Sequence, residues 1–296
     1  MSTLALADDI REDIKSSMLR LSPIPPSVTR AEEFQAEVDG LVRSEPVLKS
    51  VGEALRSLLD ENGFVHLCGL PDTGDIRAVV VLGSLLGELF TDLSHQSRLV
   101  VEASPTPGAT LQGNRTGALF PHTDFAMLER PPAVTVIRCV AEDPFGSPFG
   151  CNGVFLAQDI VDRFYGTAWL PLLWTVPLPF AGRKPTGEDV LFSAPALDVD
   201  EATLEVRSVR FHPSRIHHGF RVRGSAPSAE EAATMHHLIQ AAGTVRQEVY
   251  LEAGDCLLVA NRLALHDRGR CSLRLSQRGL QSRVSQILFV QEYQSS

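Results

Sequence analysis

The chain has 296 residues, 44% hydrophobic and 21% charged, the composition of a soluble globular protein with enough apolar residues for one large core or two small ones. Its formal net charge of -9 comes without the clustered Lys and Arg that a nucleic-acid groove needs, so no nucleic-acid partner is expected. The five cysteines (Cys68, Cys139, Cys151, Cys256, Cys271) form no Cys-x-x-Cys pair, which argues against a disulfide framework or a zinc knuckle and favours small apolar filler in a reducing compartment.

The first nine residues lack the basic and apolar regions of a signal peptide. The most apolar run, Ala78 to Leu86, is too short to cross a bilayer. A cytoplasmic location with no membrane partner is therefore expected. Residues 1–27 end in Ser-Pro-Ile-Pro-Pro-Ser and read as an irregular extension. A helix is predicted from Thr29, its N-cap, with Phe34, Val38, Leu41 and Val42 at helical spacing. A second runs from Glu45 to Glu61 and stops at Asn62-Gly63. Phe64 to Leu70 reads as a strand, and a third helix is predicted from Thr73 or Asp75 to about Phe90.

Beyond this helical support (28–92) the pattern turns to short β-rich runs punctuated by Gly, Pro and Asp. They are Arg98–Glu102, Val134–Val140, Gly153–Ala157, Val190–Ser193, Leu204–Phe211, Val245–Leu251, Cys256–Ala260 and Gln281–Gln291. Helices are predicted at Gln158–Tyr165 and Ser228–Ala242, the latter with a capped start. There is no internal repeat and no clear linker. The expected fold is α+β with a mainly β core, residues 93–296 forming a sandwich or barrel within one domain.

The chemistry concentrates in two segments. In Phe-Pro-His-Thr-Asp (120–124), His122 and Asp124 are two apart, so on extended backbone both point to the same side. Alone, such a tripeptide is equally well a turn Asp beside a surface His. Far downstream, Gly254-Asp255, an apolar strand and Asn261-Arg262 precede His266. Two imidazoles and one carboxylate on one face of a metal leave the other face open, as in non-haem Fe(II) oxygenases. Arg283, 17 residues after His266, offers a cation for a dicarboxylate co-substrate.

Phe-Pro-His-Thr-Asp-Phe-Ala-Met-Leu-Glu-Arg-Pro-Pro (120–132) and the segment 254–268 together resemble the two signatures of the taurine dioxygenase and clavaminate synthase superfamily, and 63–70 resembles its early strand. The resemblance spans about residues 45–291. It implies a double-stranded β-helix (jelly roll) and an Fe(II)- and 2-oxoglutarate-dependent dioxygenase that uses O2 on a small-molecule substrate. His122, Asp124 and His266 would be the iron ligands. Arg283 would pair with the distal carboxylate of 2-oxoglutarate, with Arg278 a second candidate and Arg270 and Arg274 weaker ones. Many members carry Gly-Gly-Asp/Ala-Thr where this chain has Gly150-Cys151-Asn152-Gly153. Gly153 is expected to align with that Thr, leaving the Asn152 amide or a water as substitute, or a weaker co-substrate site.

Gln112 and Asn114, just ahead of the metal pair, are candidates for substrate contacts, against the alternative of a turn held by Gly113 and Asn114. Arg210, His212 and the His217-His218 pair are candidates to line the pocket, against the preferred alternative of a solvated loop, and His236-His237 read as a helix surface. The leading expectation is a hydroxylase of a free amino acid or derivative. Alternatives are a sulfonate or aryloxy-acid dioxygenase of the taurine branch and a non-catalytic metal-binding β-barrel. No motif encodes an oligomeric state.

Overall fold

The structure, a computed structural model, describes residues 2–28, 34–91, 98–183, 186–277 and 279–293. The amino-terminal stretch expected to be irregular instead opens with strand β1 (Thr3–Ala5) and helix α1 (Asp8–Met18). The prolines exclude helix only from residue 23 onward. Before them, Asp8 and Asp9 favour the first turn of α1, and Ile14 and Met18 are buried one turn apart on its inner face. Helix α2 (Gln35–Ser44) follows; the proposed cap Thr29 lies outside the described residues. Helix α3 (Pro46–Asn62) has Pro46 in its first turn, buries Leu48, Leu55 and Leu59, and ends at Gly63 in the left-handed conformation, φ 71°.

Strand β2 (Phe64–Cys68) leads to helix α4 (Arg77–Leu86), which is buried along nearly its whole length. It stops short of Phe90 because Gly87–Leu89 becomes strand β3, paired with the last strand of the chain. Next come β4 (Val101–Ala103), β5 (Val134–Ala141) and β6 (Asn152–Leu156). The third quarter holds α5 (Ala157–Arg163), α6 (Leu172–Thr175), β7 (Leu178–Arg183), β8 (Asp189–Ala194), β9 (Leu197–Val199), β10 (Val206–Val209), α7 (Pro213–Arg223) and α8 (Ala229–Val245). The chain finishes with β11 (Gln247–Val249), β12 (Cys256–Ala260), β13 (Ala264–Arg268), a hairpin of β14 (Arg274–Ser276) and β15 (Gly279–Gln281), and β16 (Val284–Tyr293).

The main sheet runs β1-β2-β12-β5-β16-β3, with β4 also on β16. Its register sets the layers. Val65, Leu258, Val136 and Leu288 lie opposite one another and face the helices, where α1 to α4 close the first core. The alternate residues Phe64, Val259 and Ile137 face the other way, toward the three-stranded sheet β11-β6-β13. Val154, Val249 and Ala264 meet them there in a second, apolar layer between the sheets. A third core joins α5 to α8 and β7 to β10 to Phe125 and Phe289 at the edge of that layer. The fold is thus a mixed α+β arrangement. Among the described residues no helix is long and apolar enough to cross a membrane.

Candidate metal centre

His122 and His266 face each other across one isolated antiparallel bridge. Each donates its backbone N–H to the other's carbonyl, at 3.0 and 2.9 Å. His266 itself sits in the middle of β13, a strand outside the β-rich runs expected from the sequence; its partner strand β6 supplies the pairing, with His266 opposite Val154. The bridge sets the two imidazole centroids 4.4 Å apart. Asp124 reaches both rings, with Oδ2 3.3 Å from His266 Nε2 and Oδ1 3.9 Å from His122 Nε2. The three donor atoms lie within 4.8 Å of one another.

Their orientation is fixed from behind. His122 Nδ1–H donates to the Phe120 carbonyl at 2.8 Å, which leaves Nε2 as the free lone pair. Thr135 on β5 donates its hydroxyl to Asp124 Oδ2 at 2.8 Å. Asn261 holds the Asp124 backbone from both sides: its Oδ1 accepts the Asp124 N–H at 2.7 Å, and its Nδ2 donates to the Asp124 carbonyl at 3.1 Å and to Pro132 at 2.9 Å. Burial, with the neighbouring His266 adding to it, pushes the His122 imidazole down to about 4, so it is neutral at ordinary pH. Burial works against the Asp124 carboxylate, but His266, His122 and the Thr135 hydroxyl outweigh it and hold the group well below its usual range. Neutral imidazoles and an ionised carboxylate are the forms that bind a cation. The donor set therefore fits a divalent first-row metal.

Arg283 lies just ahead of β16 and is 3% exposed. It donates to the Gly150 carbonyl and, at 2.8 Å, to Asn152 Oδ1. Its Nε–H is buried with no partner, and among the described residues no carboxylate pairs with it. A buried guanidinium without a counter-ion is unstable until an anion arrives. Asn152 thus acts by aiming Arg283, and shares the strand face of Val154 and His266. Gly153 points the other way. A Cβ there would sit 2.4 Å from both Arg246 Nε and Asp267 Oδ1, so it does not occupy the place of an inward-facing hydroxyl.

The other candidates divide. Arg278 lies outside the described residues. Arg270 and Arg274 are exposed, as expected of loop and hairpin positions. Asn114 accepts the Ser104 N–H on its side-chain oxygen at 3.0 Å, which ties this loop to the segment just after β4. Gln112 Oε1 accepts from Ser214 Oγ at 3.3 Å, and Ser214 also contacts His212 Nδ1 at 3.1 Å. His212, read as solvated loop, is buried with its ring 5.0 Å from that of His122. Burial, then the charge of His122, lowers it well below its usual value. Arg210 is also no solvated residue: it donates to the carbonyls of Ala126, at 2.7 Å, and Glu129, at 3.0 Å, bracing the turn after Asp124. His217 and His218 lie on helix α7, not in a loop; Pro213 in its first turn is the local signal for that helix. His236 is exposed on α8 as expected, and His237 stacks on Trp169.

Arg268, two residues after His266 and on the same face of β13, had no assigned role. It donates to the carbonyls of Gly113, at 2.7 Å, Arg115 and Gly117, at 3.0 Å, and so ties the loop bearing Gln112 to the strand that carries His266.

No family model and no curated protein sequence matches the chain. Solved structures do. Asparagine oxygenase, in complex with Fe(II), 2S,3S-3-hydroxyasparagine and succinate, superposes with a TM-score of 0.78 at 18% identity, over 98% of this chain and 94% of that one. The non-haem iron oxygenase OrfP matches over the same shares. Its complex with Fe and alpha-ketoglutaric acid gives a TM-score of 0.70 at 14% identity, and its D157A mutant with (3S)-hydroxy-L-Arg gives 0.71 at 17%. At these identities the likeness is one of architecture, and the chain has the fold of these non-haem iron oxygenases.

Proposed function

We propose that the protein is an Fe(II)- and 2-oxoglutarate-dependent dioxygenase that hydroxylates an unactivated C–H of a free amino acid or a close derivative. The observation that carries this reading is the convergence of His122, Asp124 and His266 around one point, with a buried, counter-ion-free Arg283 on the same barrel interior. Residues 1–296 are read as one oxygenase domain, and the main sheet facing β11-β6-β13 as a double-stranded β-helix. The fold shared with an asparagine oxygenase and with OrfP, whose structures hold hydroxylated amino acids, favours an amino acid over a sulfonate or aryloxy acid.

Bound iron and 2-oxoglutarate supply the oxidising chemistry: one oxygen atom of O2 enters the substrate C–H as hydroxyl, the other enters succinate, and CO2 leaves. The chain's own residues do the rest. His122 and His266 present their Nε2 atoms, and Asp124 presents the anionic donor. Arg283, aimed by Asn152, takes the distal carboxylate of 2-oxoglutarate through its planar fork. Phe125 and Phe289, 4.8 Å apart edge to face, form an apolar wall that limits water. Gln112 offers a polar group to substrate from the loop fastened by Arg268.

The test is anaerobic loading with Fe(II) and 2-oxoglutarate, then O2, across a panel of free amino acids and taurine. Succinate release coupled to one amino acid gaining a single oxygen by mass is expected. Turnover with taurine alone assigns the sulfonate branch. Absence of succinate with every compound, in protein shown to bind Fe(II), removes the catalytic reading in favour of a metal-binding barrel.

A further inference from the structure

A second set of donor side chains is brought together by the same sheet. His66 and Cys68 are two apart on β2 and share the face of Phe64, which looks into the layer between the sheets. β12 runs antiparallel beside them with Cys256 opposite Leu67, which places Asp255 next to Cys68. His66 Nε2 is 3.0 Å from Asp255 Oδ2 and 3.5 Å from Cys68 Sγ, and the three donor atoms lie within 4.8 Å of one another. A tetrahedral zinc ion, with Zn–N and Zn–O near 2.0 Å and Zn–S near 2.3 Å, separates its N and S donors by about 3.6 Å and its N and O donors by about 3.3 Å. The two spacings from His66 Nε2 are each within about 0.3 Å of those values.

The donors are held ready. Asp255 Oδ1 accepts the Gly69 N–H at 3.0 Å and Oδ2 accepts the Glu252 N–H at 3.1 Å, so the carboxylate cannot swing away. The His66 ring is fixed from its Nε2 side alone, because Nδ1 is buried and has no hydrogen-bond partner. Cys68 is the one partly exposed cysteine of the five, which gives an ion a route in. Burial, then the charges of Asp255 and Glu252, raise its thiol, with Arg11 opposing. Those surroundings hold a neutral thiol until a cation displaces the proton.

We propose that His66, Cys68 and Asp255 form a second metal site, selective for a borderline-soft divalent cation such as Zn2+, that clips β2 to the turn opening β12. Nitrogen, sulfur and oxygen donors in a tetrahedral setting suit zinc, whereas the all-N/O set at His122 suits iron. The site is separate from the first one. Asp124 is bonded to Thr135, while the Asp255 carbonyl accepts the Cys139 N–H, four residues or roughly 13 Å further along β5. It does not depend on the proposed oxygenase activity.

The experiment is an anaerobic titration of chelator-treated full-length protein with Co2+. Two equivalents are expected to bind, one of them giving a near-ultraviolet thiolate-to-cobalt charge-transfer band that the sulfur-free His122 site cannot produce. Cys68→Ser should remove that band and keep the other equivalent; His122→Ala should do the reverse. As a check needing no variant, Zn2+ should protect Cys68 of the wild-type protein from alkylation, read by peptide mass. A wild-type titration without the thiolate band, a band that survives Cys68→Ser, or Cys68 alkylated equally fast with and without Zn2+ overturns the proposal.

Discussion

Thr135 shows how much of the centre is built by residues that never touch an ion. Its hydroxyl is the hydrogen-bond donor to Asp124 Oδ2, and removing it frees the carboxylate to rotate. Thr135→Val should weaken Fe(II) binding by about 10–100-fold while leaving the fold intact, measured by anaerobic metal titration. An unchanged affinity would mean that Asn261, through the Asp124 backbone, does all the positioning. Arg283→Gln should weaken 2-oxoglutarate binding by about 2–5 kcal/mol with metal affinity unaltered, measured calorimetrically with Mn(II) in place. At this scale the convergence of His122, Asp124 and His266 was legible because two signatures bracket them in the sequence. Thr135, Arg268 and His212 were not, because the tertiary fold brings them to partners 11, 155 and 90 positions away. Nothing local marks a threonine in an apolar strand, or an arginine two after a histidine, as a fastener.

Helix α8 carries a reciprocal cap that the sequence announced: Ser228 Oγ accepts the Glu231 N–H at 3.1 Å, and Glu231 accepts the Ser228 N–H at 2.7 Å. Ser228→Ala should cost about 1 kcal/mol in denaturant unfolding. Arg223 also pairs with Glu231 and is the leading cause holding its carboxyl below the ordinary 4.5. The folded-state value is the lower one, so the contribution is present above about pH 4.5 and fades as pH falls through the folded value. Glu231→Gln should therefore destabilise most near neutrality, and its cost should shrink in acid. A cost that is flat with pH would assign the effect to the uncharged hydrogen bonds. Helices with strong periodicity and a stop signal, α3 above all, were readable to within a residue or two. Helix α1 was missed because three prolines just after it dominated the reading of the whole segment, and β13 because a five-residue strand ending in His-Asp-Arg has no alternation to show.

Across the whole molecule, the amino-terminal segment belongs to the body of the protein. β1 adds a parallel edge to β2, with Leu4 beside Leu67, and Ile14 and Met18 are each 1% exposed in the helical core. Met18→Ala should cost about 2–5 kcal/mol in unfolding free energy, more than a surface tail would allow. A loss below about 0.5 kcal/mol would place the segment outside the cooperative unit. The bridge between residues 122 and 266 has a different reach. The two imidazoles owe their spacing to a reciprocal pair of main-chain hydrogen bonds, so the cradle exists before anything fills it. Metal stripped by a chelator should leave amide-exchange protection at both positions, and reloading should need only diffusion and dehydration of the ion, with no refolding step to wait for.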